Sequence, residues 1–270
     1  MKRIKQKTKY WLDGYVKAQW DILLNEAIPN DWDGMIIVFG REGVGKTTFA
    51  GQSAHYLYNG FNLNHVVFLP QQFEDACNNA KPEASILWDE AITGGMASAW
   101  ASKVSQSVIK MLTQIRKKRL KIIICFPYLH MLNKYFISRC VCSIYLYSKG
   151  FTDRGYGYFY NQEETEDLYS LMKFKYPYTP RKALAIAPHA FHFHFCKNFV
   201  LPKDEYEDKK DAARSSSDAV EDIWKTRFIK TLDYVRGCKE SGEPVQLNGI
   251  AKQIKVTTAY IAQLTNKNDI

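Results

Sequence analysis

The chain has 270 residues, a formal net charge of +9 and a pI near 9.1, with 46% hydrophobic and 24% charged residues. This is the composition of an ordinary globular protein, and the length suits one α/β domain with a small appendage. No apolar stretch approaches the ~18 residues that a membrane span requires, so we expect none. The positive charge favours an anionic polymer or surface as partner, although many basic proteins bind no nucleic acid.

The cysteines and the amino terminus indicate the compartment. The six cysteines include no C-x-x-C pair, and several lie inside apolar runs, which favours buried free thiols in a reducing environment. The basic start of the chain is followed by no long apolar core, so we do not expect a secretion signal. We therefore expect a cytoplasmic protein, located in the host cytoplasm if the chain is viral.

The first predicted element is a helix between residues 9 and 28, where aromatic and aliphatic residues recur among polar ones. It would pack on the edge of the core or on a neighbouring subunit. The apolar run from Met35 to Phe39 follows and is typical of a buried parallel strand.

The sequence G-x-x-x-x-G-K-[ST] follows this strand directly, from Gly40 to Thr47. Helical spacing continues from Thr48 to Ala54, and strand, glycine loop and helix are the context in which this motif holds phosphate. Glycines allow the backbone N–H groups to turn inward, and the helix N-terminus adds a positive field. The alternative is a chance match in a glycine-rich turn. We do not favour it, because all eight positions of the motif are present in the expected setting.

The loop predicts a site for ATP and Mg²⁺. Lys46 would reach the β- and γ-phosphates, and the Thr47 hydroxyl would ligate the metal. The residues expected to bind the nucleotide are Gly40, Arg41, Glu42, Gly43, Val44, Gly45, Lys46, Thr47 and Thr48.

The next predicted elements are a strand over 65–69, a short helix over 71–79 and a short apolar run over 85–90 that ends in Asp89 and Glu90 and is read as a strand. Charges at the end of a buried strand are costly unless they have partners or a function. We assign Asp89 to the metal and Glu90 to the orientation and deprotonation of the attacking water. Alternatively, Glu90 caps the following segment. Paired acids favour hydrolysis over phosphoryl transfer to a small molecule.

Five positive charges lie between Arg116 and Lys121, after a predicted helix over 97–112 and before a predicted strand over 121–126. They are either a solvated helix end, where cations complement the helix dipole, or a functional cluster. In the second interpretation one arginine reaches the γ-phosphate of an adjacent subunit, and the other charges contact DNA phosphates. Arg116 is the first candidate for this catalytic arginine and Arg139 is the second.

Two further segments predict an antiparallel hairpin at the sheet edge, since residues 140–147 and 156–160 flank three glycines. Alternating strands and helices predict a three-layer α/β fold with a mainly parallel sheet and the phosphate loop at its carboxyl edge. The tyrosines of 145–160 and 169–178 are expected to line a sheet face, with base stacking as the alternative. His189, His192, His194 and Cys196 resemble metal ligands, but no second ligand pair is present, so we do not favour a metal there.

The predicted domains are a P-loop ATPase domain over residues 1–200, a charged linker over 201–222 and a small all-α domain over 223–270. The last has a helix, a short helix, a turn and a short helix, an order similar to helix-turn-helix modules. It would present Thr258, Tyr260 and Gln263 to a DNA major groove, whereas the alternative is a helical bundle for protein contacts.

In the order of these motifs, residues 20–165 resemble the FtsK–HerA superfamily of DNA-pumping P-loop ATPases. This superfamily includes viral genome-packaging motors and zonular-occludens-toxin-like ATPases. The resemblance implies a RecA-like core and a homo-oligomeric ring, a hexamer or pentamer, whose active sites are shared between neighbours. A portal or other machinery protein is a further implied partner. One departure is that the strand after the acidic one ends Cys125-Phe126-Pro127, without the polar sensor of many members. Asn133 or Thr93 are candidates to replace it.

The leading hypothesis is an ATP-hydrolysing motor that binds and translocates double-stranded DNA, for viral genome packaging or mobile-element transfer. An ATP-dependent DNA-binding switch or adaptor is the first alternative. A small-molecule kinase is the second, but the sequence offers no clear lid or acceptor pocket.

Overall fold

The computed structural model of the protein describes residues 10–89, 111, 115–150 and 152–215. The chain divides into two compact units, Met1–Asp211 and Ala212–Ile270. Nearly all described residues belong to the first unit. The predicted helix-turn-helix segment, residues 223–270, lies outside the described residues, and the predicted domain boundaries stay a prediction.

A seven-stranded sheet forms the centre of the first unit. Its spatial order is β2-β3-β4-β1-β5-β6-β7, in which β1 to β5 run parallel and β6 and β7 are antiparallel additions at one edge. In chain order the strands are β1 (Gly34–Phe39), β2 (Val66–Val67), β3 (Ser85–Trp88), β4 (Lys121–Phe126), β5 (Cys142–Lys149), β6 (Asp153–Asn161) and β7 (Phe191–His194).

The central strands are continuous apolar runs because helices cover both faces of the sheet. Every residue of β1 and β4 is buried, and the two strands pair in register, with Ile36 opposite Ile123 and Val38 opposite Cys125. The parallel arrangement brings the carboxyl ends of these strands to one edge, where the glycine loop begins.

Helices connect the strands. They are α1 (Gly14–Ile22), α2 (Lys46–Leu57), α3 (Pro70–Asn79), α4 (Lys134–Arg139), α5 (Gln162–Ser170) and α6 (Pro180–Ile186), and residues 203–215 are also helical. Short 3-10 or π-helical turns occupy Leu23–Ala27, Ile28–Asn30, Leu63–His65, Leu129–Met131 and Leu171–Lys175.

The helices form a layer on each side of the sheet. On one side, Trp20 of α1 lies 6.2 Å from the Phe159 ring, and Phe49 of α2 lies 5.2 Å from the Phe193 ring. On the other side a single buried cluster joins the sheet to α3, α4, α5 and α6 through Phe73, Phe136, Leu168 and Ala183. This arrangement confirms the predicted three-layer α/β fold with its antiparallel edge hairpin.

The amino-terminal helix packs on the unit's own core, one of the two alternatives considered from the sequence. Asp13 caps α1 by accepting a hydrogen bond from the Tyr15 N–H, and Leu12 pairs with Phe195 in an antiparallel bridge. No helix of the described residues is long and apolar enough to cross a membrane.

The tyrosine-rich segments fold in two ways. Tyr145, Tyr147, Tyr156 and Tyr158 lie close together on one face of the β5–β6 hairpin, as predicted. The expectation that 169–178 also lines a sheet face is wrong, because Tyr169 belongs to α5 and packs in the core. Its neighbours Leu168 and Met172 are buried at helical spacing, which places that segment above the sheet.

Candidate functional site

The glycine loop has a backbone that few other residues adopt. Gly40, Gly43 and Gly45 have φ angles of 146°, 76° and 100°, in the region that L-residues with side chains disfavour. At Gly40 a Cβ atom would also lie 2.3 Å from the backbone oxygen of Leu146 in β5. The loop therefore depends on glycine for its conformation and for its close approach to the neighbouring strand.

The N-terminus of α2 begins where this loop ends. Its N-cap residue is Gly45, and no side chain caps the helix. The first N–H groups of a helix have no intrahelical partner and carry the positive end of its dipole. Lys46 lies at this end, where its Nζ donates to the backbone oxygens of Gly40 and Arg41, both at 2.9 Å. The lysine thus folds back over the loop that precedes it.

Beside the loop, a threonine hydroxyl pairs with a buried carboxylate. The Thr47 hydroxyl donates to Oδ2 of Asp89 over 2.7 Å. Asp89 follows β3 directly, is 1% exposed, and its N–H donates to the backbone oxygen of Val67 at 2.9 Å. Two residues 42 positions apart in the chain are therefore joined at the carboxyl edge of the sheet.

This pair fits a magnesium ion by the chemistry of its donors. Hydroxyl and carboxylate oxygens are the ligands that Mg²⁺ takes, together with water and phosphate oxygens. Thr47 donates its hydrogen to Asp89, so the lone pairs of its oxygen remain for a cation. The predicted metal residues are thus brought together, whereas Glu90, the predicted base, lies outside the described residues.

Tyr206 is a third member of the site and was not identified from the sequence. Its hydroxyl donates to Oδ2 of Asp89, the same atom that accepts from Thr47, and its side chain is buried. Burial, followed by the neighbouring Asp89 carboxylate, raises the pKa of Tyr206 well above its usual range, so the phenol remains a donor. The sequence carries little signal for this contact. Tyr206 and Lys209 are spaced as on one face of a helix, but a single aromatic residue among many charged residues does not predict a buried side chain.

The two candidate arginines lie at the opposite edge of the sheet from the loop. Arg139 pairs with Asp33 at 2.6 Å, and Asp33 immediately precedes β1. Arg116 is exposed and lies just before β4. Neither therefore acts on the phosphate site of its own subunit, and the action of either on a neighbouring subunit stays a prediction.

Three charges of the basic cluster have partners within the fold. Lys118 donates to the backbone oxygens of Cys77, Asn78 and Ala80 at the end of α3. Arg119 forms ion pairs of 3.5 and 3.2 Å with Asp31 and Glu83. The third, Lys121, is buried with its Nζ 5.9 Å from the centre of the Tyr58 ring, and burial lowers its pKa to about 8. These three charges thus have structural roles within the fold, whereas Arg116 and Lys117 are exposed. Contact of the cluster with DNA phosphates stays a prediction.

The structure also places most of the residues suggested as a phosphate sensor or as metal ligands. The Asn133 side chain accepts from the Tyr135 N–H and caps α4, and Thr93 lies outside the described residues. His192 and His194 lie on β7 among the tyrosines of the hairpin face. Within the described part of the chain, no group of three His, Cys, Asp or Glu side chains is placed to hold a metal ion.

Two concavities adjoin the phosphate loop, with volumes of about 430 and 410 Å³. Both are lined by Arg41, Tyr145 and Arg181, and the second also includes Val44 of the loop. Aromatic and cationic side chains thus border the loop, and they leave room beside it for the rest of a nucleotide.

No known protein family and no curated protein matches this chain. Among solved structures, it is similar to the FIGL-1 AAA domain in complex with ADP, with 15% sequence identity and a TM-score of 0.32. The alignment covers 76% of this chain and 82% of that chain. At this TM-score the likeness assigns no function, whereas the sheet order, the glycine loop and the acidic strand end are those of an α/β P-loop fold.

Proposed function

We propose that the chain binds ATP with Mg²⁺ at the glycine loop and hydrolyses it. The observation that carries this proposal is the hydrogen bond between Thr47 and the buried carboxylate of Asp89, at the carboxyl edge of the sheet beside the loop. A buried carboxylate is costly without a compensating partner. The arrangement of this carboxylate next to an uncapped helix N-terminus suits a metal-bound polyphosphate.

Each residue of the site has a distinct role in this proposal. The loop N–H groups and Lys46 bind the phosphates, and Lys46 leaves the oxygens of Gly40 and Arg41 to do so. Thr47 and Asp89 would hold the Mg²⁺ ion. Mg²⁺, when bound, supplies positive charge that neutralises the β- and γ-phosphate oxygens. Glu90 follows Asp89 directly in the sequence, and we assign it the orientation and deprotonation of the attacking water.

Removal of the Lys46 ammonium tests the nucleotide site. Lys46→Ala should weaken ATP binding at least about 100-fold, because each hydrogen bond to a charged group contributes about 1.5–3 kcal/mol. The measurement is titration of a fluorescent ATP analogue, and Lys117→Ala is the matched control at an exposed lysine before β4. Equal affinity of Lys46→Ala and the control would remove the loop from nucleotide binding.

Substitution of the predicted base separates binding from chemistry. Glu90→Gln keeps the shape of the side chain, so ATP affinity should remain while turnover falls about 100-fold or more, as expected for loss of a general base. Turnover is measured as phosphate release at saturating ATP. Near-normal turnover would exclude Glu90 from catalysis.

The finer proposal is that ATP hydrolysis drives the chain along double-stranded DNA, as a homo-oligomeric ring in genome packaging or mobile-element transfer. The support comes from the net charge of +9, the helix-turn-helix-like tail and the resemblance of residues 20–165 to the FtsK–HerA superfamily. Steady-state ATP hydrolysis with and without long double-stranded DNA, across protein concentrations, tests it. A motor gives DNA stimulation that rises steeply with concentration, and many ATP per bound DNA. About one ATP per assembly cycle would instead identify a switch.

Shared active sites in such a ring make a further prediction about the arginine. A subunit with Arg116→Ala retains its own nucleotide site, whereas a subunit with Lys46→Ala retains its arginine. A mixture of the two inactive variants should therefore regain part of the activity, because some interfaces combine an intact loop with an intact arginine. The same mixture made with Arg139→Ala tests the second candidate. If neither mixture regains ATP hydrolysis, neither Arg116 nor Arg139 acts on a neighbouring active site.

A further inference from the structure

The segment that follows β7 crosses the phosphate-loop helix as a strap, which we define as residues 195–206. At its start the Phe195 ring lies 5.2 Å from the ring of Phe49 in α2, and a Cβ atom on Gly45 would approach Phe195 to 3.2 Å. The strap therefore begins against the last residue of the glycine loop.

A buried glutamine of α2 holds the middle of the strap. Gln52 is fully buried, and its Nε2 donates to the backbone oxygens of Cys196 at 2.9 Å and Asn198 at 2.7 Å. Next to it, a Cβ atom on Gly51 would contact Val200 at 3.3 Å. The strap is thus packed on α2 and hydrogen-bonded to it within two turns of the phosphate loop.

The strap ends at Tyr206, whose ring packs against Phe68 and Phe199 with centroid distances of 5.6 and 5.1 Å. One helical turn later, the Nζ of Lys209 donates to the backbone oxygens of Leu63 and Val66 at 2.8 and 2.7 Å. These contacts place the Tyr206 hydroxyl on Asp89.

We infer that Tyr206 is a positioning residue for the metal site, and this inference rests on the proposed function. Two hydroxyls, from Thr47 and Tyr206, donate to the same oxygen of Asp89 and fix the orientation of its carboxylate. A carboxylate held in this way is already oriented toward Thr47 before a cation arrives. Groups that orient metal ligands commonly change metal affinity by 10–100-fold when they are removed.

The same contact joins the metal site to the end of the first unit. Tyr206 is five residues before Asp211, where the first unit ends and the chain continues into Ala212–Ile270. Coupling between two sites is reciprocal, so a bond that favours metal loading is itself favoured by it. Metal and nucleotide binding should therefore protect the helical residues 203–211 against local opening through Tyr206.

The variant Tyr206→Phe tests this inference because it keeps the ring and its packing and removes only the hydroxyl. The matched control is Tyr56→Phe, which removes a tyrosine hydroxyl that donates to Asp21 at 2.9 Å from the same helix α2. We expect Tyr206→Phe to weaken Mg²⁺ affinity about tenfold, the lower end of that range, with an unchanged affinity for the metal-free nucleotide. The control should leave both affinities unchanged.

The measurement is a MgCl₂ titration of the full chain with a fluorescent, non-hydrolysable ATP analogue, paired with hydrogen exchange of residues 203–211. In the wild-type protein, Mg²⁺ and nucleotide together should slow this exchange, and in Tyr206→Phe the slowing should be lost. Equal Mg²⁺ affinity and equal slowing in Tyr206→Phe and the control would overturn the inference while the proposed function stands. Nucleotide affinity that does not depend on Mg²⁺ in the wild-type protein would overturn both.

Discussion

Alanine at Gly40 and alanine at Gly43 make a matched pair of perturbations in the phosphate loop. Both glycines have positive φ angles, 146° and 76°, which an alanine adopts only with strain. They differ in their surroundings, because a Cβ atom at Gly40 would lie 2.3 Å from the Leu146 backbone oxygen, whereas at Gly43 nothing lies within 4 Å. The difference in stability between the two variants therefore reports mainly on the contact between the loop and β5.

The expected magnitudes follow from these two terms. Gly43→Ala should cost about 1–2 kcal/mol, the strain of an L-residue in the left-handed region. Gly40→Ala adds an overlap with backbone that cannot rotate away, and overpacking typically costs about 1–3 kcal/mol more. For a unit of this size, 1 kcal/mol shifts Tm by about 2–4 °C, so the extra cost of about 1–3 kcal/mol should lower the Tm of Gly40→Ala by about 2–12 °C relative to Gly43→Ala.

Thermal unfolding of the two variants, followed by circular dichroism, measures this difference. Titration with a fluorescent ATP analogue is the second readout, since displacement of the Gly40 backbone moves the oxygen that Lys46 contacts. We expect Gly40→Ala to lose more ATP affinity than Gly43→Ala. Equal Tm values and equal affinities would refute the reasoning, because they would show that the loop does not need its close approach to β5.

Three further predictions concern packing, pH and DNA. Gln52→Leu removes a buried amide that donates to two backbone oxygens of the strap, so unfolding in urea should show a loss of about 1–3 kcal/mol, at about 0.5–1.5 kcal/mol per hydrogen bond; a loss under 0.5 kcal/mol would contradict the strap contact. Burial lowers the pKa of Lys121 to about 8, so at this group the unfolded chain binds more protons between pH 8 and about 10.5, and the contribution of Lys121 to the free energy of unfolding should rise with pH there. Lys121→Met should remove this contribution and stabilise the protein at pH 7 by about 1–2 kcal/mol, allowing for solvent screening of the ammonium; a stability difference between wild type and variant that does not change between pH 8 and about 10.5 would contradict the assignment. Tyr260→Ala with Gln263→Ala should weaken DNA binding at fixed salt and leave basal ATP hydrolysis intact, whereas unchanged DNA affinity would leave the tail without a DNA role.

The loop and its flanking elements are predictable because all of their determinants are local. A glycine permits positive φ by its own lack of a side chain, and the apolar run before it becomes a buried strand whatever lies elsewhere in the chain. The strand from Lys121 to Phe126 and the hairpin of β5 and β6 are likewise contained in short segments, and the structure confirms them. The parallel arrangement then follows, since alternating strands and helices have few ways to cover both faces of a sheet.

The partners of individual charges are less predictable. The four consecutive cations from Arg116 to Arg119, together with Lys121, indicate one basic cluster, yet Lys118 contacts the end of α3 and Arg119 pairs with Asp31 and Glu83. A sequence shows how many charges a segment has, but whether a side chain faces solvent or a helix terminus depends on segments that fold against it. The same applies to Arg139, whose partner Asp33 is 106 residues away in the chain.

The sequence by itself therefore determined the phosphate loop and the acidic strand end, since each depends on residues within a few positions of one another. The alternation of strands and helices then left few arrangements other than a three-layer fold. Only the tertiary structure decided that Tyr206 donates to Asp89 across 117 residues, and that Gln52 holds the strap across 144. Local composition described the Tyr206 region as a charged linker, because most of its residues are indeed solvated. A single buried hydroxyl changes no average over a window of sequence, but in the folded protein it donates to the same Asp89 oxygen as Thr47.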